Sequence, residues 1–157
     1  MLQRTVPTIR ELLSYRLHQV ANLLSRGAEM RYRREFGVSL WEWRSVALLG
    51  CAGEPQSLNE LARAAGMDKG QMSRVVSGLT RRKIICRETD ANDARGIRLS
   101  LTRSGSKLYG RLIGAAAERN SAFLGCLSAK ERECLEQAMT KLAREARNFI
   151  QKEKLAR

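Results

Sequence analysis

The chemistry in this chain is carried by cations, and they are concentrated. Residues 69–87 hold six basic side chains and no acidic one. Among them Lys69, Gln71, Ser73, Arg74, Ser77, Arg81 and Arg82 are interleaved with Met72, Val75, Val76 and Leu79, apolar residues at i, i+3, i+4 and i+7. That is the period of an amphipathic helix, with the polar set on its outer face. Such a face suits a DNA major groove: Arg binds guanine edges or phosphate, Gln reads adenine, Ser accepts either, and Gly70 and Gly78 let the backbone approach. A solvated surface helix shows the same pattern, so the helix alone does not decide the matter.

The next segment does. Ile84 to Thr89 and Ile97 to Leu101 are runs rich in β-branched residues, separated by Asp90, Asn92, Asp93 and Gly96, the composition of a hairpin. Arg95 sits between the runs with Arg87 and Arg98 on the flanks, placing a guanidinium on a projecting tip beside the basic helix. Narrow A·T-rich minor grooves concentrate negative potential and attract an inserted Arg, the role expected of Arg95. Asp90 and Asp93 make the turn; the alternative for Asp93 is an ion pair that holds the tip's orientation.

The elements that position these groups carry clear punctuation. Ser57 with Glu60 forms a capping box before Leu58, Leu61, Ala62 and Ala65; Gly66 stands at the C-terminal cap, and Asp68 with Gln71 opens the basic helix. A short helix, a tight turn and a second helix make a helix-turn-helix. Upstream, Ile9, Leu13, Leu17, Val20 and Leu24 form the stripe of a helix running from Ile9 to about Phe36 and ended by Gly37. Ser39 then caps a helix with Trp43, Val46, Ala47 and Leu49 inward. Downstream, Thr102 caps a long helix carrying Leu108, Leu112, Ala115 or Ala116, Phe123 and Leu127. Ser128 with Glu131 starts another, whose Leu135, Met139, Leu142, Ala146 and Phe149 form a packing seam. The expected fold is mainly α with a small β-hairpin wing, a winged helix-turn-helix lobe over residues 39–103 within a single domain of 1–157. Helices in 1–36 and 104–157 serve dimerisation. A lobe of about 50 residues has too little surface to cover these stripes, so a second copy of the chain is expected to do so. Two lobes would then present their basic helices about 34 Å apart, one DNA turn.

Taken together, the run from Ser57 to Ala62, the helix from Asp68 to Leu79, Asp93-Ala94-Arg95-Gly96 and Leu101-Thr102-Arg103-Ser104-Gly105 resemble the MarR family of bacterial regulators. The resemblance implies a homodimer that binds a pseudo-palindromic operator on double-stranded DNA, acts as a repressor, and is released by a small aromatic or phenolic acid. It places that effector near Tyr15, His18, Trp43 and Arg44. Each has a plainer role: Trp43 in the core, Tyr15 and His18 at an interface, Arg44 as a solvated charge. Two departures stand out, Lys83-Ile84 where the family commonly has Gly-Leu, and Ala94 where it commonly has Arg.

Bulk properties agree. The 157 residues carry a formal net charge of +13 and a sequence pI near 10.5, favouring a polyanionic partner. Nothing approaches a membrane span or a signal peptide, so a cytoplasmic location is expected. Cys51, Cys86, Cys126 and Cys134 lack paired spacing and are expected to be reduced and mostly buried. Cys86, in a basic stretch, is the candidate for an alternative regulator that senses oxidation. A second alternative is a protein that coats nucleic acid without sequence preference. An enzyme is not expected, nor a cofactor or a bound metal: the one histidine, His18, has no assignable catalytic or metal-ligating companions, and phosphate-binding glycine motifs are absent.

Overall fold

The computed structural model describes residues 7–90 and 93–156, with the side chains of all of these except 90 and 93–95. A 3-10 turn, Ile9–Glu11, precedes α1 (Leu13–Phe36). The single helix expected from Ile9 is thus interrupted. The Glu11 carboxylate folds back to accept from the Thr8 N–H at 2.6 Å, closing the first turn on itself, and Leu12 adopts extended backbone before α1 starts. Gly37, at φ 63°, ends α1 as expected.

Helix α2 (Leu40–Cys51) opens on a capping box. The Ser39 N–H donates to Glu42 Oε2 at 2.7 Å and the Glu42 N–H to Ser39 Oγ at 3.2 Å. Glu29 of α1 accepts from the Leu40 N–H, fastening the start of α2 to its predecessor. Trp43 is buried against Tyr32 of α1, ring centroids 5.2 Å apart. Buried Ser45 is satisfied by donating to the Trp41 carbonyl at 2.9 Å.

A short strand, β1 (Gln56–Ser57), leads into α3 (Leu58–Ala65) and α4 (Lys69–Arg81). Strands β2 (Ile85–Asp90) and β3 (Asp93–Leu101) complete an antiparallel sheet in the order β1-β3-β2. Two features differ from expectation. Strand β1 has no signature of its own and exists through its pairing, Gln56 with Leu99 and Ser57 with Arg98. The second hairpin strand begins at Asp93 rather than Ile97, so Asp93, Ala94, Arg95 and Gly96 are strand residues. A register shift between Thr89 and Asp90 absorbs the irregularity; residues 91 and 92, with the Asn92 expected in the turn, lie outside the described residues.

Helix α5 (Arg103–Gly125) begins where Thr102 Oγ1 accepts from the Gly105 N–H at 3.0 Å. A Cβ on Gly105 would overlap the Ile84 carbonyl oxygen, so the close approach of α5 to the wing's base requires glycine there. Helix α6 (Ala129–Leu155) opens on the Ser128–Glu131 capping box.

The chain divides into two compact units, Met1–Ile113 and Gly114–Arg157. The core of the first is built from α1 to α4 and the sheet, with Tyr32, Val46, Leu61, Met72, Leu79 and Leu99 fully covered. In the second, α6 has no buried residue; Leu135, Met139, Leu142 and Phe149 are exposed, as are Ile9, Leu13, Leu17, Val20 and Leu24 in the first unit. The cysteines also depart from expectation. Cys51, Cys126 and Cys134 are exposed and Cys86 is half-buried, all as free thiols. Cys126 follows the end of α5 and Cys134 lies in α6, whose apolar positions are themselves open, so apolar character there does not translate into burial within one chain. Among the described residues no helix is long and apolar enough to cross a membrane.

Candidate nucleic-acid interface

The helix-turn-helix is held by one glycine-assisted end and two side-chain caps. The Gly66 N–H bonds to the Arg63 carbonyl and the Met67 N–H to the Ala62 carbonyl, with Gly66 at φ 67°, a tight left-handed stop. Two residues later Asp68 Oδ1 accepts from the Gln71 N–H at 2.9 Å and starts α4. Helix α4 buries Met72, Val76 and Leu79, which presses one face onto α2 and α3 and aims the other outward.

On that outward face Lys69, Gln71, Arg74 and Arg81 are exposed and Ser73 and Ser77 half-buried. Arg74, Ser77 and Arg81 fall at three- and four-residue steps, one stripe along the helix. Among the described residues, Lys69, Arg74 and Arg81 have no ion-pair partner. Their charges remain available to an incoming anion.

Two cations expected on the same surface are engaged within the fold. Arg82 donates to Glu42 Oε1 at 2.9 Å, tying the end of α4 to the start of α2. Arg98 donates to Glu60 Oε2 at 3.2 Å and to the Pro55 carbonyl at 3.4 Å. Glu60 also closes the α3 capping box, accepting from the Ser57 N–H at 2.7 Å. These hydrogen bonds, with Arg98 and Arg63 nearby, hold its carboxyl below the usual glutamate range. Glu60 was expected in sequence as the third residue of a cap, and Glu42 plays the same part at Ser39, but the cation of each lies about 40 positions away, beyond any local pattern. The backbone of Arg95 lies in β3; its side chain is outside those described.

Lys83 has a conformation its residue type does not announce. At φ 57° it is the one non-glycine residue with positive φ among those described. Its N–H bonds to the Thr80 carbonyl and the Ile84 N–H to the Leu79 carbonyl, a helix stop that usually takes glycine. Its own carbonyl accepts from Thr102 Oγ1 at 2.6 Å and Ser104 Oγ at 2.7 Å, which pins the base of the wing.

The four residues expected around an effector are separated. Trp43 and Arg44 line a cavity of about 360 Å³ with Ala47, Leu48, Ala64 and Ala65, between α2 and α3. Arg44 lies over the Trp41 ring, 4.8 Å from its centroid, and reaches Ser25 Oγ at 3.4 Å. Tyr15 is half-buried on α1, and His18 Nε2 lies 2.8 Å from Asn22 Nδ2; neither lines this cavity. The thiol of Cys86 faces Glu88 Oε1 at 3.6 Å.

Comparison with known proteins follows the same outline. The model of the MarR family matches residues 36–96, which run from the end of α1 through both motif helices into the wing. The lobe matches the MarR family. The chain as a whole is similar to a MarR/EmrR family transcriptional regulator from Acinetobacter sp. ADP1, with 26% identity over 90% of this chain and 99% of that one and a TM-score of 0.82. It is similar in fold to Staphylococcus aureus MepR in a complex with DNA, with 23% identity over 85% and 98% and a TM-score of 0.77. It is also similar in fold to Bordetella bronchiseptica BpsR, whose DNA binding is regulated by 6-hydroxynicotinic acid, with 18% identity over 88% and 98% and a TM-score of 0.78. The MarR resemblance also gives Lys83 its context, since the glycine common in the family suits the left-handed backbone that lysine adopts here.

Proposed function

We propose that this chain is a sequence-specific transcriptional regulator that acts in the cytoplasm as a homodimer on a pseudo-palindromic DNA operator, as a repressor. The observation that carries the proposal is the outward face of α4, where Lys69, Arg74 and Arg81 stand without ion-pair partners among the described residues, beside Gln71, Ser73 and Ser77. In this reading α4 enters the major groove, Arg74 and Arg81 reach base edges or phosphate, and Lys69 binds phosphate at the helix start. Arg95 on the wing takes the adjacent minor groove. The engagement of Arg82 with Glu42 and of Arg98 with Glu60 assigns those two to holding the lobe together. The exposed stripes of α1 and α6 support the homodimer, because apolar rows of this length gain from burial against a second copy.

The effector proposed is a small aromatic acid, set between the Trp43 ring and the Arg44 cation in the cavity between α2 and α3. The regulation of BpsR by 6-hydroxynicotinic acid supports this chemical class. To release DNA such a ligand must favour the arrangement that does not bind DNA, because equal affinity for both shifts nothing.

Competition with unrelated DNA at fixed salt tests the function. A specific regulator prefers its operator by about a thousandfold or more; equal competition by unrelated duplex would leave only a non-specific nucleic-acid coat.

A further inference from the structure

We propose that Glu60 and Arg98 form a brace that sets the direction of the wing relative to α4, so that discrimination between operator flanks depends on this ion pair. The inference rests on the DNA-binding reading above. At its base β3 is seated in the core through buried Leu99, but its ladder with the strand that leads into α3 is only two residue pairs long, Gln56 with Leu99 and Ser57 with Arg98. Beyond Leu99 the strand leaves that core, and a ladder so short does little to fix the direction it takes. Arg98 stands opposite Ser57, and its guanidinium reaches across β1 to the Pro55 carbonyl and to Glu60 Oε2. The same Oε2 is held by the Ser57 N–H at 2.7 Å, so the anchor is fixed by the cap of α3 before the arginine arrives. The cap thus orients the acid, the acid orients the arginine, and the arginine holds the strand.

Leverage makes a modest contact consequential. From Arg98 to Asp93 the strand runs five residues, about 16 Å, so a tilt of about 10° at the junction displaces the far end by about 3 Å. The minor groove is only about 6 Å wide, so a shift of that size moves a wing side chain out of it. Both partners are half-exposed, and surface pairs of this kind add little stability. The consequence of this pair lies in where the wing points.

The brace and a plain charge effect predict opposite signs. Removing an acid from a DNA-facing surface strengthens binding if the acid merely repels phosphate; it weakens flank discrimination if the acid orients the wing. Glu60→Gln separates the two, because Gln can still close the capping box while losing the ion pair. The experiment uses the full chain, a duplex that the wild type enriches from a random pool, and versions of that duplex with A·T or G·C flanks. Glu60→Gln, Arg98→Gln and the double variant are compared in affinity across salt concentrations and in thermal midpoint. The expected result is a loss of roughly fivefold in the A·T over G·C preference for each single variant, with no further loss in the double. Glu60→Gln keeps the wild-type midpoint and salt slope.

Tighter binding by Glu60→Gln, or an unchanged flank preference, overturns the brace. So does a salt slope lowered by about 0.9 in Arg98→Gln alone, the mark of a phosphate contact, or a wild type with no flank preference. If the wild type enriches no duplex at all, the DNA-binding reading fails and the brace with it.

Discussion

Arg74 and Arg81 lie seven positions apart on the exposed side of α4, two turns of helix. If each meets a base edge, Arg74→Ala or Arg81→Ala costs about 1 to 3 kcal/mol of operator affinity and relaxes specificity at one base pair. A uniform loss across all sequences would instead mark a phosphate contact. Titration of each variant against operators altered one position at a time checks this. Lys83 supports a prediction of opposite sense. Because its backbone is left-handed, Lys83→Gly relieves a strained conformation and is expected to stabilise the fold by about 1 kcal/mol in denaturant melts. The division of α4 into a buried and an exposed face was legible in sequence because its period is local, every third or fourth residue from Met72 to Leu79. The occupations of Arg82 and Arg98 were not, because a cation's partner is chosen in three dimensions and Glu42 and Glu60 already had local roles as caps.

At the scale of elements, the starts of α2, α3 and α6 rest on one device, a serine and a glutamate exchanging hydrogen bonds. The boxes of α3 and α6 were read in sequence because their residues stand three apart; at α2 only the Ser39 cap was, although Glu42 has the same spacing. For α6 the hydrogen bonds from Ser128 hold the Glu131 carboxyl below the ordinary glutamate value. A depressed folded-state value means that the cap's contribution is present above the ordinary value, about 4.3, and is lost as pH falls through the lower folded one. Helicity lost between about pH 5 and pH 3 should therefore be smaller in Glu131→Gln, which caps without titrating; circular dichroism across that range checks it, and identical profiles would contradict the assignment. Strand β1 and the full length of β3 escaped sequence reading for a common reason. A two-residue strand has no periodicity, and whether Asp93 to Gly96 are turn or strand depends on the ladder that β2 offers them.

Across the whole molecule, the exposed rows on α1 and α6 are the largest unexplained feature of a single chain. A 27-residue helix without a buried side chain gains little from its own sequence and depends on packing for stability. If a second copy covers the α1 row, Leu17→Glu places a charge in that interface, and the molar mass by light scattering should fall from the dimer's to the monomer's. An unchanged dimer would take Leu17 out of the interface. The cysteines belong to this scale as well. Their exposure contradicts the expectation of buried thiols because residue type was read without knowing which apolar faces a single chain leaves open. The central claim, a dimer reading DNA with two copies of α4, is tested most directly by selecting bound duplexes from a random pool with the full chain. The account predicts an inverted repeat with half-sites centred about 10 base pairs apart. Recovery of unrelated sequences, or of a single half-site without its symmetric mate, would contradict it.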